Sequence, residues 1–115
     1  MSTSIKEFND YRSEMNDKLL SNDNLMIKRL FSLDQQAFKD GALPSKTKEL
    51  LGLVASMVLR CDDCIKYHLQ QCYKINISRE EIIETFSIAL LVGGSIVIPH
   101  SRRAMEFWEQ LEKEV

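Results

Sequence analysis

Helix-breaking residues are scarce in this chain. Only four glycines and two prolines occur among its 115 residues. They are Gly41, Pro44, Gly52, Gly93, Gly94 and Pro99. No stretch of four to eight residues shows the strict alternation of apolar and polar side chains that indicates a strand. The sequence therefore predicts an all-α fold, a single-domain bundle of about six helices over residues 1–115.

The N-terminal part, residues 1–42, is expected to form a helical hairpin. A polar helix over residues 4–20 is followed by a break at Asn22–Asn24. The second helix is expected to end near Asp40 and Gly41, where a glycine follows the last periodic residue. Its apolar residues recur at helical spacing: Met26, Leu30, Leu33 and Ala37.

The remaining residues, 43–115, are expected to form the core, with four helices. Ser45 is predicted to be the N-cap of the third helix. Asp62 and Asp63 suit the positive N-terminal end of the fourth helix, which is predicted to be central and to begin at the cysteine motif. Ser78 opens a Ser-x-x-Glu capping box for the fifth helix.

The third and fifth helices are apolar on more than one face. Two helices of this kind are hard to bury in a monomer of 115 residues. Either they form a central hairpin of the bundle, or part of their surface meets another subunit. The second alternative predicts a homo-oligomer.

Charge and hydropathy exclude several classes of partner. The formal net charge is −2 and the pI is about 5.7, with no basic cluster, so no nucleic-acid binding is expected. No apolar run approaches the roughly 20 residues that span a bilayer, and no signal peptide follows Met1, so we expect a cytoplasmic protein without membrane contact. His100, Arg102 and Arg103 are interpreted as a solvated basic turn.

The three cysteines point to redox chemistry. Their odd number, without a secretion signal, argues against a disulfide scaffold. On a helix, Cys61, Cys64, His68 and Cys72 share a stripe about 80° wide. Residues three apart have Cα atoms about 5 Å apart, so Cys61 and Cys64 can cycle between dithiol and disulfide. Cys72 lies about 12 Å farther along the helix axis from Cys64 and is expected to be a small buried hydrophobe.

A single metal ion cannot bind all four residues of this stripe. Cys61 and Cys72 would be about 16 Å apart along the helix, whereas zinc lies about 2.0–2.3 Å from its ligands. A partial site of Cys61, Cys64 and His68 with an outside ligand stays open. The sequence otherwise predicts neither a metal nor a cofactor beyond the cysteine pair.

Two signals disagree about which thiol reacts first. A helix N-terminus lowers the pKa of a thiol, which favours Cys61. His68 lies one turn beyond Cys64 and can take its proton, which favours Cys64. Asp62 and Asp63 oppose both effects, because nearby negative charge raises a thiol pKa. Both carboxylates are expected to point away from the cysteine stripe.

The spacing from Glu49 to His68 reads E-x11-C-x2-C-x3-H. It resembles the active-site signature of the alkylhydroperoxidase D-like proteins, within the carboxymuconolactone decarboxylase family. The resemblance extends from about Leu43 to Trp108. It implies an all-α fold that assembles as trimers or hexamers. It also implies peroxide reduction, or a thiol–disulfide relay to a partner that reduces peroxide.

The resemblance further implies a role for each residue of the signature. Cys64 would be the peroxidatic thiolate, and Cys61 would resolve it as a disulfide. His68 would carry the proton, and Glu49 would orient or protonate His68 through water. The partners implied are a hydroperoxide substrate and a thiol or dithiol reductant. A non-enzymatic redox-sensing oligomer and a lactone decarboxylase, after the family name, are the alternatives. Asp63 stands where some members of the family carry a histidine.

Overall fold

Six α-helices and one short 3₁₀ turn make up residues 2–114, the part that this computed structural model describes, with side chains from residue 5 onward. The elements are α1 (Ser2–Leu20), α2 (Leu25–Ala37), α3 (Ser45–Val58), α4 (Asp62–Lys74), α5 (Arg79–Gly93), the 3₁₀ turn (Ser95–Val97) and α6 (Ile98–Lys113). No strand occurs within this range. The predicted all-α fold of about six helices is confirmed, and the cysteine motif lies at the start of α4, as expected.

Within the described residues, side-chain caps begin α2, α4 and α5, and the cap of α4 is the sulfur of Cys61. At α2, the Asn24 side chain accepts a hydrogen bond from the N–H of Ile27, at 3.0 Å. At α5, the Ser78 hydroxyl accepts from the N–H of Glu81 at 3.1 Å, and the Glu81 carboxylate accepts from the N–H of Ser78 at 2.8 Å. The predicted capping box is therefore present.

The connection between α2 and α3 differs from the prediction in two ways. Ser45 is the first residue of α3, and the N-cap position is held by a proline, which has no side-chain acceptor. The Ser45 hydroxyl donates instead to the carbonyl of Phe38, and the Asp40 carboxylate accepts the N–H of Ser45, at 2.6 Å. These bonds turn the chain early, so α2 ends at Ala37, before the expected position.

A tight reversal joins α3 to α4. Arg60 adopts a left-handed conformation with φ of 62°. Its N–H donates to the carbonyl of Met57, and the N–H of Cys61 donates to the carbonyl of Ser56, each at 3.0 Å. This pair of bonds is the Schellman motif that ends a helix. It folds α4 back along α3 and sets Cys61 at the turn.

The core lies where α3, α4, α5 and α6 meet. Its largest fully buried side chains are Trp108, Leu53, Met57, Ile65, Leu69, Ile82, Val97 and Cys72. Trp108 packs edge to face on Tyr73, with ring centroids 5.6 Å apart, and its Nε1 donates to Glu112 at 3.0 Å. Helix α1 reaches this core through Ile5 and Phe8, and Phe8 packs against Phe107.

Much apolar surface stays uncovered in the single chain. The α3 and α5 helices bury one face each, and Leu91 and Val92 are 81% and 67% exposed. A central hairpin therefore does not account for their apolar residues. Helix α2 has no buried residue at all. No helix of residues 2–114 is long and apolar enough to cross a membrane.

Candidate functional site

Cys61 and Cys64 stand at the N-terminal end of α4. Cys61 is the N-cap residue, and its sulfur accepts a hydrogen bond from the N–H of Cys64, at 3.3 Å. The two residues are joined as a disulfide, with Cα atoms 5.3 Å apart. This separation is close to the value expected for residues three apart in a helix. The positive end of the α4 dipole thus points at the sulfur of Cys61.

Cys64 opens onto a cleft with a volume of about 220 Å³. The cleft is lined by Arg12, Asp34, Asp63, Cys64, Tyr67 and His68, from α1, α2 and α4. Cys64 is exposed, whereas Cys61 is half-buried and is not among these lining residues. A small molecule entering the cleft therefore meets the sulfur of Cys64.

His68 and Glu49 form a buried pair across the α3–α4 hairpin. His68 Nδ1 lies 2.9 Å from Glu49 Oε1, so the two groups bond directly and the expected link through water is wrong. Both side chains are almost fully covered. A buried carboxylate is costly without a partner, and the imidazole supplies one. Because Nδ1 faces Glu49, Nε2 is the ring nitrogen left for proton exchange in the cleft.

Packing fixes the ring of His68 on three sides. Phe38 and Tyr67 each place a ring centroid 5.3 Å from that of His68. Gly52, on α3, supplies the third side, since a Cβ built there would lie 2.7 Å from Cε1 of His68. Real Cβ contacts essentially never come under 3.0 Å. The imidazole therefore occupies space that only glycine leaves open.

Asp62 is held away from the cysteines by α6. His100 Nδ1 lies 2.8 Å from Asp62 Oδ1, and Arg103 Nε donates to Asp62 Oδ2 at 3.0 Å. Burial raises the pKa of Asp62, but hydrogen bonds and charges from His100 and Arg103 outweigh it and hold the pKa below its usual value. The interpretation of a solvated basic turn is therefore wrong for His100 and Arg103, which bind Asp62 from within α6, although Arg103, like Arg102, is exposed.

The two acidic residues between the cysteines have different surroundings. The Asp62 side chain points away from the cysteine stripe, as expected, and contacts His100 and Arg103 of α6. Asp63 is exposed and lines the cleft beside Cys64, so the same expectation is wrong for it. The carboxylate of Asp63 thus lies in the cleft beside Cys64, the exposed cysteine of the pair.

Cys72 is fully buried and is not part of the cleft. Burial, followed by the negative charge of Glu49, raises the pKa of its thiol to about 12. The thiol is therefore protonated at neutral pH, and the prediction of a small buried hydrophobe is confirmed.

Three cleft residues were not found from the sequence: Arg12, Asp34 and Tyr67. Arg12 carried a weak signal, since it follows the inward-facing Ile5 and Phe8 at helical spacing. Tyr67 has a raised pKa, first because it is partly buried and then because Glu49 and Asp34 are negative, while Arg12 opposes the rise. Its hydroxyl therefore stays protonated at neutral pH.

A metal site was the alternative to redox chemistry for the stripe of Cys61, Cys64, His68 and Cys72. Across the side chains of residues 5–114, no three His, Cys, Asp or Glu groups come together so as to hold a metal ion. Cys72 is buried in the core and the sulfur of Cys61 is bonded to that of Cys64.

Comparison with protein families finds a match to the carboxymuconolactone decarboxylase family over residues 25–107. A Thermotoga maritima protein of known crystal structure is 56% identical, with a TM-score of 0.92, over 94% of this chain and 95% of that one. Another crystal structure from Thermotoga maritima is 55% identical, with a TM-score of 0.89, over 93% of this chain and 91% of that one. It is described as a member of the same family, with a suggested part in the antioxidative response.

Two further relatives are less similar to this chain. A Legionella pneumophila protein of the carboxymuconolactone decarboxylase family is 32% identical, with a TM-score of 0.68, over 96% of this chain and 91% of that one. An uncharacterized Cupriavidus necator protein is 29% identical over 75 residues, which are 65% of this chain and 66% of that protein.

Proposed function

This chain belongs to the carboxymuconolactone decarboxylase family, and we propose that it is a thiol-dependent peroxidase that works through a Cys61–Cys64 dithiol–disulfide cycle. The observation that carries the proposal is the cleft in which exposed Cys64 and largely buried His68 lie together, with Glu49 bonded to His68. The antioxidative role suggested for the Thermotoga maritima relative agrees with it.

Cys64 is the thiol that attacks the peroxide. Its exposure in the cleft supports this role, whereas Cys61 is half-buried at the helix end. The Cys64 thiolate attacks the terminal oxygen of the hydroperoxide, so the S–O bond forms as the O–O bond breaks. Sulfur is oxidised to a sulfenic acid, and the leaving oxygen takes a proton to become an alcohol. His68 delivers that proton, and Glu49 orients its ring and balances its charge.

Cys61 then resolves the sulfenic acid. Its thiol attacks the sulfur of Cys64, the disulfide forms and water leaves. A dithiol reductant restores both thiols by attacking the exposed sulfur of Cys64. Cys61 departs as a thiolate, which the N–H of Cys64 and the α4 dipole stabilise. The electrons pass through the cysteine pair, so the cycle needs no bound cofactor.

We also propose that the protein works as a homo-oligomer of three or six copies. Helix α2 supports this, because Met26, Leu30 and Leu33 form one stripe and are 71%, 66% and 59% exposed. Soluble monomers rarely expose contiguous apolar patches of this kind. Since α2 carries Asp34 of the cleft and leads into Phe38 beside His68, a second copy covering the stripe would also hold that wall of the cleft.

The test is a steady-state assay with cumene hydroperoxide and dithiothreitol. We expect turnover by the wild type and by Cys72→Ala, the matched cysteine control, and none by Cys64→Ser. Cys61→Ser should accumulate a dimedone-reactive sulfenic acid on Cys64 when peroxide is added without reductant, and should trap a monothiol such as glutathione there as a mixed disulfide.

Two results would reject the peroxidase. One is a wild type that forms the disulfide without turnover, which leaves a redox-sensing oligomer. The other is an activity that survives loss of both Cys61 and Cys64, which favours chemistry of the lactone decarboxylase kind.

A further inference from the structure

An arginine from the first helix reaches the cleft of Cys64. The guanidinium carbon of Arg12 lies 4.5 Å from the ring centroid of Tyr67 and 5.6 Å from that of Phe8. The side chain is half-buried. Asp34 and Asp63 line the same cleft, yet within the described side chains Arg12 forms no hydrogen bond and no ion pair with either.

A partly buried amide pair helps to place Arg12 there. Asn9 and Gln70 exchange two side-chain hydrogen bonds, at 2.9 and 2.8 Å, and Gln70 is buried. Arg12 follows Asn9 by three residues and Tyr67 precedes Gln70 by three, so each lies one turn along the same helix face. The amide pair therefore fixes α1 against α4 and sets the guanidinium over the ring of Tyr67.

Stacking, rather than charge pairing, thus holds Arg12. A guanidinium presents five N–H donors in one plane and cannot give up its charge in a protein. The guanidinium carbon lies close to both aromatic ring centroids, and no described side chain accepts a hydrogen bond from Arg12. The donors at its edge stay available to a molecule in the cleft.

Peroxide cleavage creates charge that such a donor can stabilise. As the Cys64 thiolate attacks the terminal oxygen, an electron pair moves onto the leaving oxygen. Fixed donors placed where charge develops in the transition state lower its free energy. The leaving oxygen then takes its proton from His68, because the guanidinium keeps its own.

We propose that Arg12 is a further catalytic residue, whose guanidinium donates hydrogen bonds to the oxygens of a neutral organic hydroperoxide bound beside Cys64. This inference rests on the proposed peroxidase function. The cleft, at about 220 Å³, has room for an alkyl or aryl group beyond the two peroxide oxygens. The carboxylates of Asp34 and Asp63 disfavour substrates that carry an anionic group.

The test separates an effect on the peroxide from an effect on the thiolate. Reduced Arg12→Met, Arg12→Gln and Arg12→Lys are mixed with cumene hydroperoxide, and the second-order rate of Cys64 oxidation is measured by stopped flow. The same proteins are alkylated with iodoacetamide across pH, a reaction that reports the thiolate alone. Lys18→Met removes one positive charge from an exposed position of the same helix and is the control.

We expect the peroxide rate to fall by about 100-fold in Arg12→Met and Arg12→Gln, the loss typical of a removed transition-state donor. Arg12→Lys should recover part of it, and Lys18→Met should stay within about twofold. The pH profile of alkylation should be the same in all five proteins. Arg12→Gln stays polar but is shorter than arginine and does not reach the position of the guanidinium, so it serves if Arg12→Met fails to fold.

Two outcomes overturn the inference. If the Arg12 variants oxidise as fast as the wild type, Arg12 does not touch the peroxide. If alkylation and oxidation fall together, Arg12 acts on the thiolate. A wild type that does not react with peroxide at all is a different result, because it removes the proposed function and the inference with it.

Discussion

Gly52 and His68 are in direct contact across the α3–α4 hairpin, and a methyl group on Gly52 would lie 2.7 Å from Cε1 of the imidazole and 2.9 Å from Nε2. The replacement Gly52→Ala therefore moves the ring. We expect peroxide turnover to fall by about 10- to 100-fold, since small displacements of a reacting group have effects of this size. The free energy of unfolding should change little, because alanine favours a helix over glycine by about 1 kcal/mol and offsets the contact.

A second glycine provides the control. Gly41 lies in the α2–α3 connection, where a Cβ would meet only Nζ of Lys48 at 3.5 Å, an ordinary contact. Gly41→Ala should leave turnover unchanged. Full activity of Gly52→Ala would show that the position of the His68 ring does not govern the reaction. Turnover and urea unfolding, measured on the same samples, separate the two effects.

The Glu49 carboxylate gives the second prediction. Glu49→Gln keeps an acceptor for His68 Nδ1 but removes the charge that balances a protonated ring. We expect kcat/KM for cumene hydroperoxide to fall by about 10- to 100-fold, within the range of general acid–base effects. Stability should hold or rise, because a buried carboxylate is replaced by a neutral amide. Glu84→Gln, at an exposed position of α5, is the control. Unchanged kcat/KM in Glu49→Gln would assign Glu49 a purely structural role.

The third prediction concerns the buried thiol. Because burial raises the pKa of Cys72 to about 12, we expect iodoacetamide to label two thiols in the reduced native protein and three after denaturation. Cys72→Ala should keep peroxide turnover and lose about 1–2 kcal/mol of stability, from the removed sulfur and the space it leaves. Rapid native labelling of Cys72, measured by peptide mass spectrometry, would contradict its burial.

Asp62 makes the stability of the protein depend on pH. Although burial opposes it, the contacts with His100 and Arg103 hold the pKa of Asp62 below that of a free aspartate. A carboxyl group whose pKa is lowered by folding stabilises the fold at pH values above its pKa in the unfolded chain. This stabilisation disappears as the pH falls through the pKa of the group in the folded chain. Asp62→Asn should therefore lower the free energy of unfolding at pH 7, by about 1 kcal/mol or less because solvent screens the pair, and the difference should vanish near pH 2.

Denaturant unfolding at both pH values measures this difference. Asp63→Asn is the matched control, since Asp63 is exposed and, within the described residues, has no hydrogen-bond or ion-pair partner. An equal loss in the two variants at pH 7 would show that the effect comes from charge near the helix end and not from the contacts with α6.

Local features of the sequence predicted most of the fold. The capping box at Ser78 and the spacing of Cys61 and Cys64 depend only on residues three apart, so helical geometry settles them. The prediction of Ser45 as an N-cap was wrong because Ser45 bonds to Phe38 and Asp40, which precede α3. A local capping pattern contains no information about partners that lie this far back in the chain.

Long-range contacts at the site could not be derived in the same way. The pairing of Glu49 with His68 entered through a family resemblance, since no local rule brings α3 and α4 into that register. Arg12 lies more than fifty residues before Cys64 in the chain, and its place depends on how α1 docks. That docking combines the packing of Phe8 on Phe107 with the amide pair of Asn9 and Gln70, and the amide pair is not distinguishable in the sequence from exposed polar residues.

The last prediction concerns the exposed stripe of α2. If a second copy covers Leu30, then Leu30→Glu places a charge in the interface, and the assembly should shift to smaller species in sedimentation velocity. The fold of each chain should survive, because Leu30 is 66% exposed and surface changes usually cost within about 0.5 kcal/mol. Gln35→Glu adds the same charge on the opposite side of α2 and should leave the assembly intact. Peroxide turnover should fall with the loss of assembly, since α2 carries Asp34 of the cleft wall. A monomeric wild type, or a Leu30→Glu protein that assembles normally, would remove the stripe from the interface.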